Sequence, residues 1–253
     1  MKVISLSNQK GGVGKTTLAL ALAAGLKKRG YRVLAIDADP QANFSTSVGF
    51  EEGPDNKNLY NVFTGAKVKD NTVTTNLGFD LVKGSLRLTN ADREFSALGS
   101  ERIIKKALKH VTDDYDFCII DTPPTLGILT TCALVASDAM VIPVQASLFS
   151  LQGIFQLNTE LIQKIKEDIN PGLQVAGIVI NQYNPQATVR RSMKEEIESI
   201  AETLDFHVFD SIIRSAAAAE ESHLLRTDIT SSKTKISADL NAYIDELLKR
   251  LGE

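Results

Sequence analysis

Two lysines frame a run of glycines near the start of the chain: Lys10-Gly11-Gly12-Val13-Gly14-Lys15-Thr16-Thr17. A short apolar strand pattern, Val3-Ile4-Ser5-Leu6, leads into it, and Leu18 to Ala24 continues it as a helix. Glycines let backbone N–H groups crowd inward, and the following helix N-terminus adds positive potential, so strand, glycine loop and helix make a polyphosphate cradle. Within it Lys15 can reach β/γ-phosphates, and the Thr16 hydroxyl can sit on Mg²⁺. Residues Gly11 to Thr17 are thus candidate nucleotide-binding residues. A dinucleotide loop would place a third glycine where Thr17 stands and has no use for Lys15.

Acids arrive where such a loop needs them. The near-continuous apolar run Tyr31 to Asp37 reads as a buried parallel strand and delivers Asp37 and Asp39 beside the loop. Tyr115 to Asp121 is a second apolar strand ending in an acid, and Asp121 can hold Mg²⁺ through water. Asp37 either supports the metal shell or caps the loop. Pro123 and Pro124 then carry the chain rigidly away from the sheet. A further strand, Gln174 to Ile180, ends at Asn181, whose amide can pair with adenine or serve as an ordinary turn residue.

The loop departs from the common phosphate-binding pattern: Gln9 stands where a glycine is usual, and Lys10 follows it. A lysine this early is placed to project outward, toward a facing subunit. Asn8 to Thr17 resembles the deviant Walker A motif of the ParA/MinD family of ATPases. The likeness continues through Asp37 to Asn43, Asp121-Thr122-Pro123-Pro124 and Ile142 to Ala146, and the ParA-type (Soj-like) partition ATPases are the nearest branch. The resemblance implies ATP and Mg²⁺ as cofactors and an ATP-bound homodimer in which Lys10 acts in trans. It assigns Asp39 to the attacking water, Thr122 to Gly127 to a γ-phosphate switch, and the base reader to the neighbourhood of Asn181. It also implies non-specific DNA binding, a ParB-like centromere-binding partner that stimulates hydrolysis, and nucleoid association.

Away from the loop, the helix starting at Thr188 opens with Arg190, Arg191 and Lys194 before turning acidic. Cations at a helix N-terminus oppose its macrodipole, so a contact with DNA phosphates is one explanation and i, i+4 ion pairing is the other. Arg214 is a further DNA candidate. In partition ATPases a proline and a second arginine are usual where Ile213 and Ala217 stand, leaving Arg214, Arg226 and Lys233 to compensate. The run Ala216 to Ala219 followed by Glu220-Glu221 reads as helical.

The elements that must position these groups alternate between strand and helix patterns. This is the signature of an α/β fold, a mostly parallel sheet with helices on both faces, here of the P-loop NTPase type. The 253 residues suit a single domain over 1–253, and 43% hydrophobic with 23% charged residues is ordinary globular composition. Helices are expected over Leu59–Phe63, Asn90–His110 and Leu148–Ile165, with a short strand over Phe206–Phe209 and a surface excursion over 50–76. Cys118 and Cys132 lack metal or redox spacing, and the chain enters a strand within two residues. A cytoplasmic location is therefore expected. A net charge of −3 confines DNA contacts to a local patch. The last helix carries Ile236, Leu240, Ile244, Leu247, Leu248 and Leu251 on one stripe with mixed charge opposite. Docking on the core is expected, without stable membrane association, although a MinD-like membrane-positioning ATPase remains the alternative.

Overall fold

The computed structural model describes residues 1–50, 57–183, 188–215 and 226–253, and for 148–152 and 188–191 the backbone only. Seven strands form one sheet: β1 (Lys2–Leu6), β2 (Val33–Asp37), β3 (Thr72–Thr74), β4 (Asp80–Val82), β5 (Phe117–Asp121), β6 (Ala139–Gln145) and β7 (Gln174–Asn181). Their order is β3-β4-β2-β5-β1-β6-β7. All neighbours pair in parallel except β3 with β4 at the edge. Parallel strands must be covered on both faces, which is why β2 and β5 are buried along their whole length.

Register decides which side chains meet. Asp121 of β5 lies opposite Leu6 of β1 on one side and Asp37 of β2 on the other. Farther along the same edge, Gln145 of β6 pairs with Asn181 of β7. The polar strand ends thus align at the carboxyl edge, where ligands of open α/β sheets bind.

One face is covered by α1 (Lys15–Lys28) and by the C-terminal helix α10 (Lys235–Leu251). Alanines and leucines bury α1 from Leu18 to Leu26. A Cβ on Gly25 would press on the Ile244 side chain, so glycine eases the close approach of α1 and α10. The stripe on α10 is buried at Ile236, Leu240, Tyr243, Ile244, Leu247 and Leu248, as expected for docking on the core. Thr234 caps its start by accepting from the Ser237 N–H, and left-handed Gly252 ends it. The other face carries α3 (Leu59–Phe63), α4 (Ala91–Glu94), α5 (Ile103–Leu108) and α6 (Ile128–Ala136). Helices α7 (Leu148–Leu157), α8 (Gln163–Asp168) and α9 (Thr188–Thr203) complete the layer beside β6 and β7. Among the described residues, no helix is long and apolar enough to cross a membrane.

Three expectations need correction. The helix over Asn90–His110 is broken: α4 stops at Glu94, and left-handed Gly99 (φ 95°) turns the chain before a 3₁₀ turn, Ser100–Arg102, opens α5. Helical spacing of apolar residues survives such a break, so periodicity alone does not reveal it. The helix from Leu148 passes through a π turn, Asn158–Ile162, and runs on to Asp168 as α8. Phe206–Phe209 is an extended segment that bridges β7 only where Val208 meets Ile178, flanked by hydrogen bonds from Ile178 N to His207 O and from Phe209 N to Ile178 O. The helical reading of Ala216–Glu221 falls outside the described residues.

Candidate active site

The short α2 (Asn43–Ser47) lies next to the loop that joins β1 to α1, and the two border an open cleft of about 660 Å³. Gly11, Gly12, Gly14, Lys15, Thr16 and Thr17 line it together with Asp39, Gln41, Pro124 and Gln182. Gly12 and Gly14 adopt φ of 74° and 91°, a region that disfavours side chains, and a Cβ on Gly14 would sit 2.0 Å from Asn181 Nδ2. Val13 is wholly buried beneath.

Polar side chains pin the loop from below. Asn8 donates to Pro143 O (2.6 Å) and accepts from the Lys10 N–H (2.9 Å). Asn181 Nδ2 donates to Val13 O at 2.8 Å, so this amide braces the loop. Gln145 and Gln182 both donate to Gly12 O, at 2.9 and 3.0 Å. Ser7 and Thr122 share a hydrogen bond at 2.8 Å, and Thr122 also donates to Leu6 O, which ties the segment after Asp121 to β1. Sequence reasoning passed over Ser7, Gln145 and Gln182. Gln145 lies within the Ile142 to Ala146 likeness, yet its partner is a backbone oxygen 133 positions away.

Lys15 is 7% exposed and donates to the Asn8 and Lys10 carbonyls. Burial pulls its pKa down, against the nearby charges of Asp121 and Asp39. Lys10 Nζ reaches Ser147 Oγ at 2.9 Å, at the start of α7 on the same chain.

The acids divide into two uses. Asp37 is fully buried: one oxygen accepts from the Asp39 N–H (3.2 Å) and the other from the N–H and hydroxyl of Ser45 (2.9 and 2.7 Å). These bonds cap the turn that follows β2. Desolvation raises its pKa to about 6 in spite of these bonds. Asp121 accepts from the Thr16 hydroxyl at 2.7 Å through Oδ2, whereas its Oδ1 is buried without a hydrogen-bond partner. Burial, then the charge of Asp37, raises the Asp121 pKa well above the usual carboxylate range. An orphaned carboxylate oxygen beside a threonine hydroxyl suits a hard cation, which this pair can hold directly or through water. Among the described residues no three His, Cys, Asp or Glu side chains form a metal site by themselves.

Residues 1–175 match the model of a family described as an AAA domain. Over 220 residues, 84% of this chain and 80% of the relative, it is 36% identical to the chromosome partitioning protein ParA of Caulobacter vibrioides. The chain belongs to the ParA family of P-loop ATPases. The sporulation initiation inhibitor protein Soj of Bacillus subtilis is 36% identical over 201 residues, 78% of this chain and 79% of Soj. Among solved structures, that of a cobyrinic acid a,c-diamide synthase from Mycobacterium smegmatis with bound ATP analog and magnesium superposes with a TM-score of 0.87. It is 27% identical and covers all of this chain and 96% of the other.

Two of the candidate DNA contacts are engaged by acids of this chain. Lys194 pairs with Glu198 (3.2 Å), the i, i+4 arrangement. Arg214 grips Asp239 of α10 through two nitrogens, at 2.6 and 2.7 Å. The side chains of Arg190 and Arg191 lie outside the described residues. Cys118 and Cys132 are free and buried, and burial pushes the Cys132 thiol up to about 12.

Proposed function

We propose that this chain is an ATP- and Mg²⁺-dependent partition ATPase that dimerises over bound ATP and then holds DNA without reading sequence. The observation that carries the reading is the unpartnered Asp121 Oδ1 beside Thr16, directly below a glycine loop that contains Lys15. Lys15 and the loop N–H groups hold the phosphates. Thr16 and Asp121 hold Mg²⁺, which neutralises charge on the phosphates when bound. Asp39, which also lines the cleft, orients the attacking water. Asn181, which braces the loop through Val13 O, also serves as the base reader. Lys10 leaves Ser147 and reaches the partner's nucleotide, as an arginine finger does, an effect that can reach about 10³–10⁵ in rate. A ParB-like protein stimulates hydrolysis, and the DNA-bound dimer sits on the nucleoid. Arg190, Arg191, Lys194 and Arg214 supply the phosphate contacts, with Lys194 and Arg214 exchanging their acidic partners for DNA.

The curated relatives at 36% identity are named as partition and sporulation proteins, which favours this reading over a small-molecule synthase. The buried stripe of α10 does not favour the membrane-positioning alternative. Two measurements test the proposal. DNA binding across a salt series should appear with ATP and vanish with ADP or no nucleotide, independently of sequence. Lys10→Ala should abolish the ATP-induced doubling of mass in light scattering; normal dimerisation of that variant would overturn the trans role.

A further inference from the structure

We propose that Ser45 is a positioning residue for hydrolysis: its hydroxyl locks the Asp37 carboxylate to the corner after β4 and thereby fixes Asp39. The inference rests on the ATPase reading above. Ser45 is 2% exposed and meets Asp37 twice through the same oxygen, by its N–H and by its hydroxyl. The hydroxyl oxygen also accepts from the Gly84 N–H at 3.0 Å. Asp37's second oxygen receives the Asp39 N–H. A continuous relay therefore runs from Gly84 through Ser45 and Asp37 to the backbone of Asp39, whose side chain lines the cleft.

The turn it braces is strained. Ala42, between Asp39 and Ser45, has φ 51°, a left-handed conformation that a residue with a Cβ seldom adopts. Such a conformation persists only when its surroundings over-determine it. Gly84 supplies the opposite wall: a Cβ there would lie 2.8 Å from Asp39 O and 3.0 Å from the Asp37 carboxylate. Asp39 is thus held between a hydroxyl bridge and a glycine that leaves no slack.

The two sides can be perturbed independently. Ser45→Ala removes the bridge, and Gly84→Ala pushes a methyl group into Asp39. Both are expected to lower kcat at saturating ATP about 10- to 100-fold, since a shift of about 1 Å can cost that much. Affinity for a non-hydrolysable ATP analogue should stay within about twofold, because neither residue belongs to the phosphate loop. A purely structural role would lower the melting temperature, or kcat and analogue affinity together, without this split. A wild-type kcat in soluble Ser45→Ala overturns the inference while leaving the ATPase reading intact. If Ser45→Ala proves insoluble, an unchanged kcat in Gly84→Ala does the same. A wild-type chain that hydrolyses no ATP takes both down.

Discussion

Asp37 and Glu246 each accept the N–H and the hydroxyl of one serine on a single oxygen, Ser45 in the first case and Ser211 in the second. Each also takes a backbone N–H on its other oxygen, from Asp39 and from Asp210, and Glu246 adds His207 Nε2 at 3.2 Å. Yet their titration moves in opposite directions. At Asp37 burial outweighs the hydrogen bonds and raises the pKa to about 6. At Glu246 burial also pushes upward, but the bonds from Asp210, Ser211 and His207 outweigh it and hold the carboxyl below its ordinary value. The difference lies in the surroundings. Asp37 is fully buried and aligned with Asp121, whereas Glu246 lies on α10 and keeps 18% of its side chain in solvent. One constellation serves as a structural staple at the rim. Beside two further acids at the end of the sheet it becomes a store of negative charge that a cation can relieve.

If the acidic end is catalytic and the rim only structural, substitutions should separate along that line. The largest effect is expected at Asp39: Asp39→Ala should reduce turnover about 10²–10⁴-fold, the usual contribution of a group that positions or activates water. Steady-state kinetics at saturating ATP and Mg²⁺ measures this, and near-normal turnover would dissolve the distinction.

The opposing pKa shifts give a second test, on the nucleotide-free protein. The folded pKa of Asp37, about 6, exceeds its ordinary value of 3.8, so the folded state binds the proton more tightly. Its contribution to stability is fully present below about 4 and is lost as pH rises through 6. A shift of this size corresponds to about 3 kcal/mol. Denaturant unfolding of wild type between pH 4.5 and 7 should therefore lose stability relative to Asp37→Asn. Glu246 must do the reverse, since its pKa is depressed. Relative to Glu246→Gln, wild type should lose stability as pH falls below about 4.5. Parallel slopes for the two pairs would remove the contrast.

This contrast also marks what the sequence could reveal. The phosphate loop was legible because strand, glycines and helix are contiguous, and Asp37, Asp39 and Asp121 because apolar strands end on them. Their alignment follows from the parallel register, which strand alternation with helices implies. The bonds that set each acid's character were not legible. Ser45 meets Gly84 across 39 positions, Glu246 meets Ser211 across 35, and Ser7 meets Thr122 across 115. No local period announces such partners. Arg214 shows the same limit: its basic character is evident in the sequence, but Asp239, which engages it, lies 25 residues farther on. The break in the helix between Glu94 and Ser100 was hidden for another reason, because Phe95 and Ile103 pack against the same cluster on either side of it.

The smallest expected effect sharpens the comparison from the rim. Glu246 joins α10 to the extended segment beside β7, collecting Asp210, Ser211 and His207 at one point. Glu246→Ala leaves two backbone N–H groups without their acceptor, and water can reach them because the site is partly exposed. The cost should be about 1–3 kcal/mol of global stability, read from the denaturation midpoint. Turnover should stay within about twofold, since the residue lines no part of the cleft and touches none of its acids. A large loss of turnover in a well-folded Glu246→Ala protein would mean that the α10 rim communicates with the nucleotide end of the sheet. The two carboxylates would then be parts of one device.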